Sequence, residues 1–204
     1  MSFFGELWLR ARYGSPIVVV SGLPRSGTSM MMKMLAAGGL PVVTDEIRAA
    51  DEDNPKGYFE LEQIKELDKS KDKTWLRDHR GKVIKIISFL LKDLPDDNAY
   101  KVLFMRRNLE EVIASQNKML VRRGEPIDPA GDAKMIESYK LHLRKVEAMV
   151  RDKANVRWLD VSYNDVVHDP RKPAAEVAGF VGSGLDVNRM VGAVDASLYR
   201  NRAG

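Results

Sequence analysis

Eight residues near the start of the chain, Gly22-Leu-Pro-Arg-Ser-Gly-Thr-Ser29, have the types and spacing to hold an anion. The pattern is G-x-x-x-x-G between an apolar run and a helical pattern, the context that turns a glycine motif into a phosphate site. Gly27 lets the backbone approach an anion closely. The amides of Ser26, Gly27, Thr28 and Ser29 can converge on one cluster of oxygens, in the field of a helix N-terminus. A tight strand–helix turn that binds nothing has the same glycines, but this one also carries the guanidinium of Arg25 and three hydroxyls. Thr28 stands where a nucleoside-triphosphate loop has its lysine, and the positive charge sits at Arg25 instead. Such a loop also needs a magnesium-holding acid at the end of a neighbouring strand. The run KVLFM ends in Arg106-Arg107, and the one candidate acid, Asp160, reads better as structural. The loop is poorly equipped for a triphosphate.

The elements that must position this loop alternate between strand and helix. PIVVVS at 16–21 predicts a strand buried on both faces, and TSMMMKMLAAGGL a helix closed by Gly38-Gly39. The methionines of that helix are packing residues. Short strands are predicted at 41–43, 82–87 and 156–161, and an interior strand at 101–105. FELEQIKELDK at 59–69 predicts a helix with Leu61, Ile64 and Leu67 on one face. Asn108 is an N-cap for the helix that carries Ser115, with Glu110 and Glu111 in its first turn. A long helix is predicted over 132–153, with His142 on its face, and two short ones near 163–167 and 173–181. The stretch 122–131 is a surface loop or a lid. This order predicts an α/β fold, a three-layer sandwich around a mainly parallel sheet with the phosphate-type loop after its first strand. With 204 residues and no repeat or linker, residues 1–204 read as one domain.

Composition narrows the partners. Hydrophobic residues make up 44 % and charged residues 30 %, as in ordinary globular proteins, and no apolar run is long enough to span a bilayer. Cysteine is absent, which removes disulfides and thiolate metal sites. No signal-peptide pattern opens the sequence, and a cytoplasmic location is expected. The net charge of +4 suits an anionic ligand. Basic residues are interspersed with acids rather than gathered in a tract, so a small anion is favoured over nucleic acid, and no membrane association is expected.

PIVVVSGLPRSGTSMM resembles the 5′-phosphosulfate loop of sulfotransferases that use 3′-phosphoadenosine 5′-phosphosulfate (PAPS). A second element supports the resemblance. FMRRNLEEVIASQ is similar to the family's 3′-phosphate element, a strand ending in Arg-Asn and a helix whose serine lies eight residues after the arginine, as Ser115 follows Arg107. NPKGYFE at 54–60 and WLDVSYNDVVHDP at 158–170 match more loosely, the latter with Tyr163 near the nucleotide. The matches span residues 16 to about 182, in a chain short for the family. The resemblance implies a PAPS site made of Arg25, Ser26, Gly27, Thr28, Ser29, Arg107, Ser115 and Tyr163, with no metal. Local geometry alone would not pair Arg107 with Ser115, which lies about 10 Å along the helix from its cap.

The implied reaction moves a sulfuryl group to a hydroxyl or amine. Fixed donors, the loop amides with Arg25 and Lys85, are expected to stabilise the leaving phosphate, and a general base to take the acceptor's proton. Cytosolic small-molecule members of the family place a histidine shortly after a lysine at a strand end, whereas Lys85-Ile-Ile-Ser88 has none. Thr44-Asp-Glu-Ile-Arg48 is similar to the Glu-x-Arg element of tyrosylprotein sulfotransferases, which nominates Glu46 as base and Arg48 as its partner. Asp45 and Glu46 read equally well as acids opening a helix. His79 is the second choice for the base. Arg200 and Arg202 either close over the 3′-phosphate or belong to a solvated tail. Two rivals stand beside this reading: a P-loop kinase of a small metabolite, and a nucleotide-binding module without catalysis.

Overall fold

The run Ile17-Val-Val-Val20 is buried on both sides because it forms the heart of a parallel sheet. In the computed structural model, which describes residues 3–45, 59–182 and 184–195, β1 (Ile17–Gly22) lies between β2 (Val83–Lys85) and β3 (Tyr100–Arg106). β4 (Val156–Ser162) adds to β3, giving the order β2-β1-β3-β4 with every pairing parallel. Alternation then sorts the side chains. Val18, Val20, Leu103 and Met105 enter one core with α2 (Thr28–Ala37), α6 (Tyr163–His168), α7 (Arg171–Val181) and α8 (Val187–Gly192). Ile17, Val19, Tyr100, Val102 and Phe104 enter the other, beneath α5 (Asp132–Val150) and the segments between 61 and 94. Each fully buried aliphatic side chain contributes about 1.5–3 kcal/mol, so these strands anchor the fold. The fold is α/β, with helices on both faces of the sheet.

Local chemistry fixes the helices next to the loop. In α2, Met31, Met32, Met34 and Leu35 are wholly buried, confirming the methionines as packing. The helix ends in a Schellman pattern: Leu40 N–H bonds Leu35 O (2.9 Å), Gly39 N–H bonds Ala36 O (3.0 Å), and Gly39 takes φ +99°. α4 (Leu109–Arg122) starts as its sequence predicts, with Asn108 Oδ1 accepting from the amides of Glu110 (2.8 Å) and Glu111 (3.4 Å). Trp158 stacks on Phe104 at 4.7 Å, a core residue.

Several elements differ from the sequence expectation. The helix expected over 59–69 is a single turn, α3 (Glu62–Lys65), because Phe59 has φ +51°, Leu61 is extended and Glu66 leaves helical geometry. Residues 41–43 form no strand but a lone bridge, Val42 to Val83, beside Pro41, which has no amide to donate. The expected strand 82–87 shortens to β2 and runs into a 3-10 helix, Ser88–Asp93. α1 (Phe3–Tyr13) and α8 were not foreseen. Among the described residues no helix is long and apolar enough to cross a membrane.

Candidate active site at the loop after the first strand

The loop joins β1 to α2, and its two special conformations are built by neighbours. Gly27 caps α2 with φ +99°, and a Cβ there would lie 2.4 Å from Cδ2 of Tyr163. The tyrosine ring, placed by the turn from β4 into α6, therefore presses on the loop backbone. Gly27→Ala is expected to destabilise the protein by about 2–4 kcal/mol, from left-handed strain plus the clash, and removing the ring in G27A/Y163A should recover part of the loss. Urea denaturation of both variants checks this. Arg25, not a glycine, also sits at φ +70°.

Two contacts hold Arg25 there. Its Nε donates to Ser115 Oγ on α4 at 3.0 Å, and its carbonyl oxygen accepts from Arg107 Nη1 at 3.0 Å. Arg107 lies just past β3, where its Nε also donates to Glu111 Oε2 at 3.0 Å and its guanidinium carbon lies 4.3 Å from the centre of the Tyr163 ring. The Arg107 side chain is 6 % exposed and that of Glu111 2 %, a buried ion pair one helical turn long. Burial pushes the Tyr163 hydroxyl above its ordinary pKa, against the opposing pull of Arg107. Arg25, Arg107, Ser115 and Tyr163 thus converge from four separate segments. The partner that reaches Ser115 is Arg25, 90 positions away, whereas the arginine eight positions before it bonds Glu111 and the loop carbonyl.

Ser26 is 2 % exposed, and its Oγ has no hydrogen-bond partner among the described residues. A buried hydroxyl left unpaired costs about 1–3 kcal/mol. Together with the loop amides and Arg25, it gives a donor set that fits the oxygens of a phosphate or sulfate. Thr28 and Ser29 occupy the first turn of α2, half-buried beside it.

Lys85 ends β2 with its side chain 8 % exposed and its Nζ 3.4 Å from Glu60 Oε1. Glu60 is a residue that sequence reasoning missed as a site member, although it closes the NPKGYFE segment. Its carbonyl oxygen accepts from Thr44 Oγ1 (3.1 Å) and from the Asp45 amide (3.2 Å), and Asp45 Oδ2 accepts from the Glu62 amide (2.6 Å). The chain on both sides of 46–58 is therefore pinned beside Lys85. Glu46, Arg48, Arg200 and Arg202 lie outside the described residues. His79 lies at the opposite end of the strands, where the Lys82 amide bonds its carbonyl and the Gly81 amide bonds Pro16 O before β1 begins. A six-residue strand, on the order of 17 Å, separates that end from the loop. Asp160 is a structural acid: it accepts from Arg106 Nε (2.7 Å) and Trp158 Nε1 (3.0 Å) and pairs with Arg151 (3.2 Å).

No family model matches the sequence, and no curated protein matches it either. The fold does have relatives among solved structures. The sulfotransferase domain of the Synechococcus PCC 7002 olefin synthase superposes with a TM-score of 0.56 at 18 % identity, over 91 % of this chain and 79 % of that one. The sulfotransferase domain from the curacin biosynthetic pathway superposes with a TM-score of 0.52 at 15 % identity, over 89 % and 78 %. At these identities the likeness is one of architecture, and the architecture this chain shares is that of sulfotransferase domains.

Proposed function

We propose that the protein is a sulfotransferase that moves a sulfuryl group from PAPS to a hydroxyl or amine acceptor. The observation that carries this reading is the bonded circuit of loop, strand end and helix through Arg25, Ser115 and Arg107, next to the buried Ser26 hydroxyl, which has no partner among the described residues. The Ser26 amide is taken by Leu23 O at 3.1 Å, so in this reading the amides of 27–29 with the side chains of Arg25, Ser26, Thr28 and Ser29 hold the phosphosulfate, while Arg107 and Ser115 serve the 3′-phosphate beside Tyr163. Lys85 and Arg25 offset the charge that grows on the leaving phosphate oxygen. Arginine suits the task because its planar fork holds two oxygens and keeps its charge. Glu46 remains the carboxylate that the sequence nominates to receive the acceptor's proton. The magnesium-nucleotide kinase is disfavoured by Thr28 in the lysine position and by Asp160, which is committed to Arg106, Arg151 and Trp158.

A thermal-shift comparison tests the reading. Adenosine 3′,5′-bisphosphate at about a hundred times its Kd is expected to raise Tm by about 5–10 °C, with no comparable rise from magnesium-ATP. The reverse pattern would establish the kinase. Stabilisation by the bisphosphate without transfer from PAPS to any phenol, sugar, amine or tyrosine peptide would leave a binding module.

A further inference from the structure

The end of β2 carries a second group of reactive side chains, outside the donor-side cluster. Past Lys85 the chain still follows β1, with Ile86 N–H bonding Val20 O at 3.0 Å, before turning into the 3-10 helix. Ser88 there is fully buried, and its Oγ lies 2.9 Å from Nε2 of His142 on α5. The Phe89 ring stacks on the imidazole, 3.8 Å between centres and 14° from parallel. Ile87 and Phe89, on either side of Ser88, are 38 % and 41 % exposed. Leu143, next to His142, packs against the apolar cluster that holds Leu23 of the phosphate-type loop and Tyr139 one turn earlier. This turn of α5 and the loop therefore border one shared apolar cluster. Strand alternation points Lys85 to the other face, with Val83. The strand end is flanked by an ammonium on one side and an imidazole on the other.

Only one imidazole nitrogen is committed. Nε2 meets Ser88, while Nδ1 has no partner among the described residues and is not sealed from solvent. With Nε2–H donated to Ser88 Oγ, Nδ1 of the neutral ring holds a free lone pair. Burial pushes the ring's pKa below its ordinary value, which favours that neutral form at neutral pH.

Resting on the sulfuryl-transfer reading, we infer that this cluster is the acceptor subsite and that His142, in place of Glu46, is the base: an uncharged hydroxyl on an apolar body packs against Ile87 and Phe89 and gives its proton to His142 Nδ1. As the acceptor oxygen bonds sulfur, the hydroxyl proton passes to Nδ1. The bond from sulfur to the phosphate oxygen breaks, and the phosphate keeps its electron pair. The resulting imidazolium still donates Nε2–H to Ser88. Ser88 is the positioning residue that decides which nitrogen is free.

The chain has three histidines, so imidazole nitrogen NMR on the labelled full chain, assigned with H79Q, H142Q and H168Q, reads His142 directly. Titration with 2-naphthol, with and without adenosine 3′,5′-bisphosphate, is expected to shift the His142 nitrogens saturably and leave His79 and His168 in place. With PAPS and either 2-naphthol or 1-hexanol, H142Q is expected to lower turnover by about 100-fold or more, with bisphosphate affinity within about twofold of the parent. S88A should raise the fraction of rings protonated at Nδ1, a change that loss of packing alone would not produce. The inference is overturned by an unmoved His142 signal in both titrations, or by no transfer to either alcohol. Near-parental turnover in H142Q, or E46Q abolishing transfer where H142Q does not, also overturns it. Failure of the bisphosphate to bind would sink the donor reading separately, and the titration without bisphosphate would still decide this one.

Discussion

Replacing Arg107 with alanine is expected to lower the stability of the protein by about 3–5 kcal/mol, because it breaks a buried ion pair. Glu111 is 2 % exposed in its side chain and accepts from Arg107 Nε at 3.0 Å. The same change removes the bond to Arg25 O and the guanidinium over the Tyr163 ring. R107M/E111L, which removes both charges and keeps bulk, is expected to recover most of the loss, since two apolar side chains leave no charge to desolvate. Urea midpoints at unchanged m-value measure both. Binding should part from stability here: the double variant refolds, yet it lacks the cation assigned to the 3′-phosphate and the clamp on the loop. Near-parental stability in R107A would show that Glu111 finds water or another partner. Tight bisphosphate binding by R107M/E111L would remove Arg107 from the nucleotide site.

Arg25→Ala is expected to reduce transfer from PAPS by about 10²–10³-fold, the usual cost of losing a fixed donor to a developing oxyanion. The side chain is half-buried and fills no core, but buried Ser115 Oγ loses its partner, so the urea midpoint should fall by the equivalent of about 1–3 kcal/mol while the protein stays folded. R25K keeps the charge but not the planar fork, and its activity should fall between the two. S115A frees the Nε end of Arg25 and should weaken bisphosphate affinity by about tenfold while preserving the guanidinium. Calorimetric titration with adenosine 3′,5′-bisphosphate and turnover with PAPS read these effects separately. Parental activity in R25A would place the sulfuryl-holding charge elsewhere.

The central strands were readable because burial on both faces leaves an uninterrupted apolar run, and Ile17–Val20 and Val102–Met105 are such runs. The start of α4 was readable because a cap is a local bond between Asn108 and amides two and three residues on. The loop's outline was also local, from its glycines and the strand before it. What escaped the sequence is of longer range. Leu61, Ile64 and Leu67 have helical spacing, yet Ile64 and Leu67 reach the core from one turn and the bend after it. The arginine that would meet Ser115 could not be chosen by counting residues along α4, since the contact spans two strands' worth of folding from Arg25. His142 and Ser88 are likewise 54 positions apart, and nothing in KIIS announces a histidine supplied by another helix. Glu60 was visible as a letter in a motif but not as the neighbour of Lys85.

The left-handed turn at Arg25 has a kinetic consequence. Held through its carbonyl by Arg107 and through its side chain by Ser115, the main chain keeps one shape, and in the proposed reading that is the shape in which it meets its anion. Little ordering entropy is left to lose on capture. The encounter is then set by diffusion and charge attraction rather than by loop closure, and differences in affinity between nucleotides should show up as differences in how long each one stays.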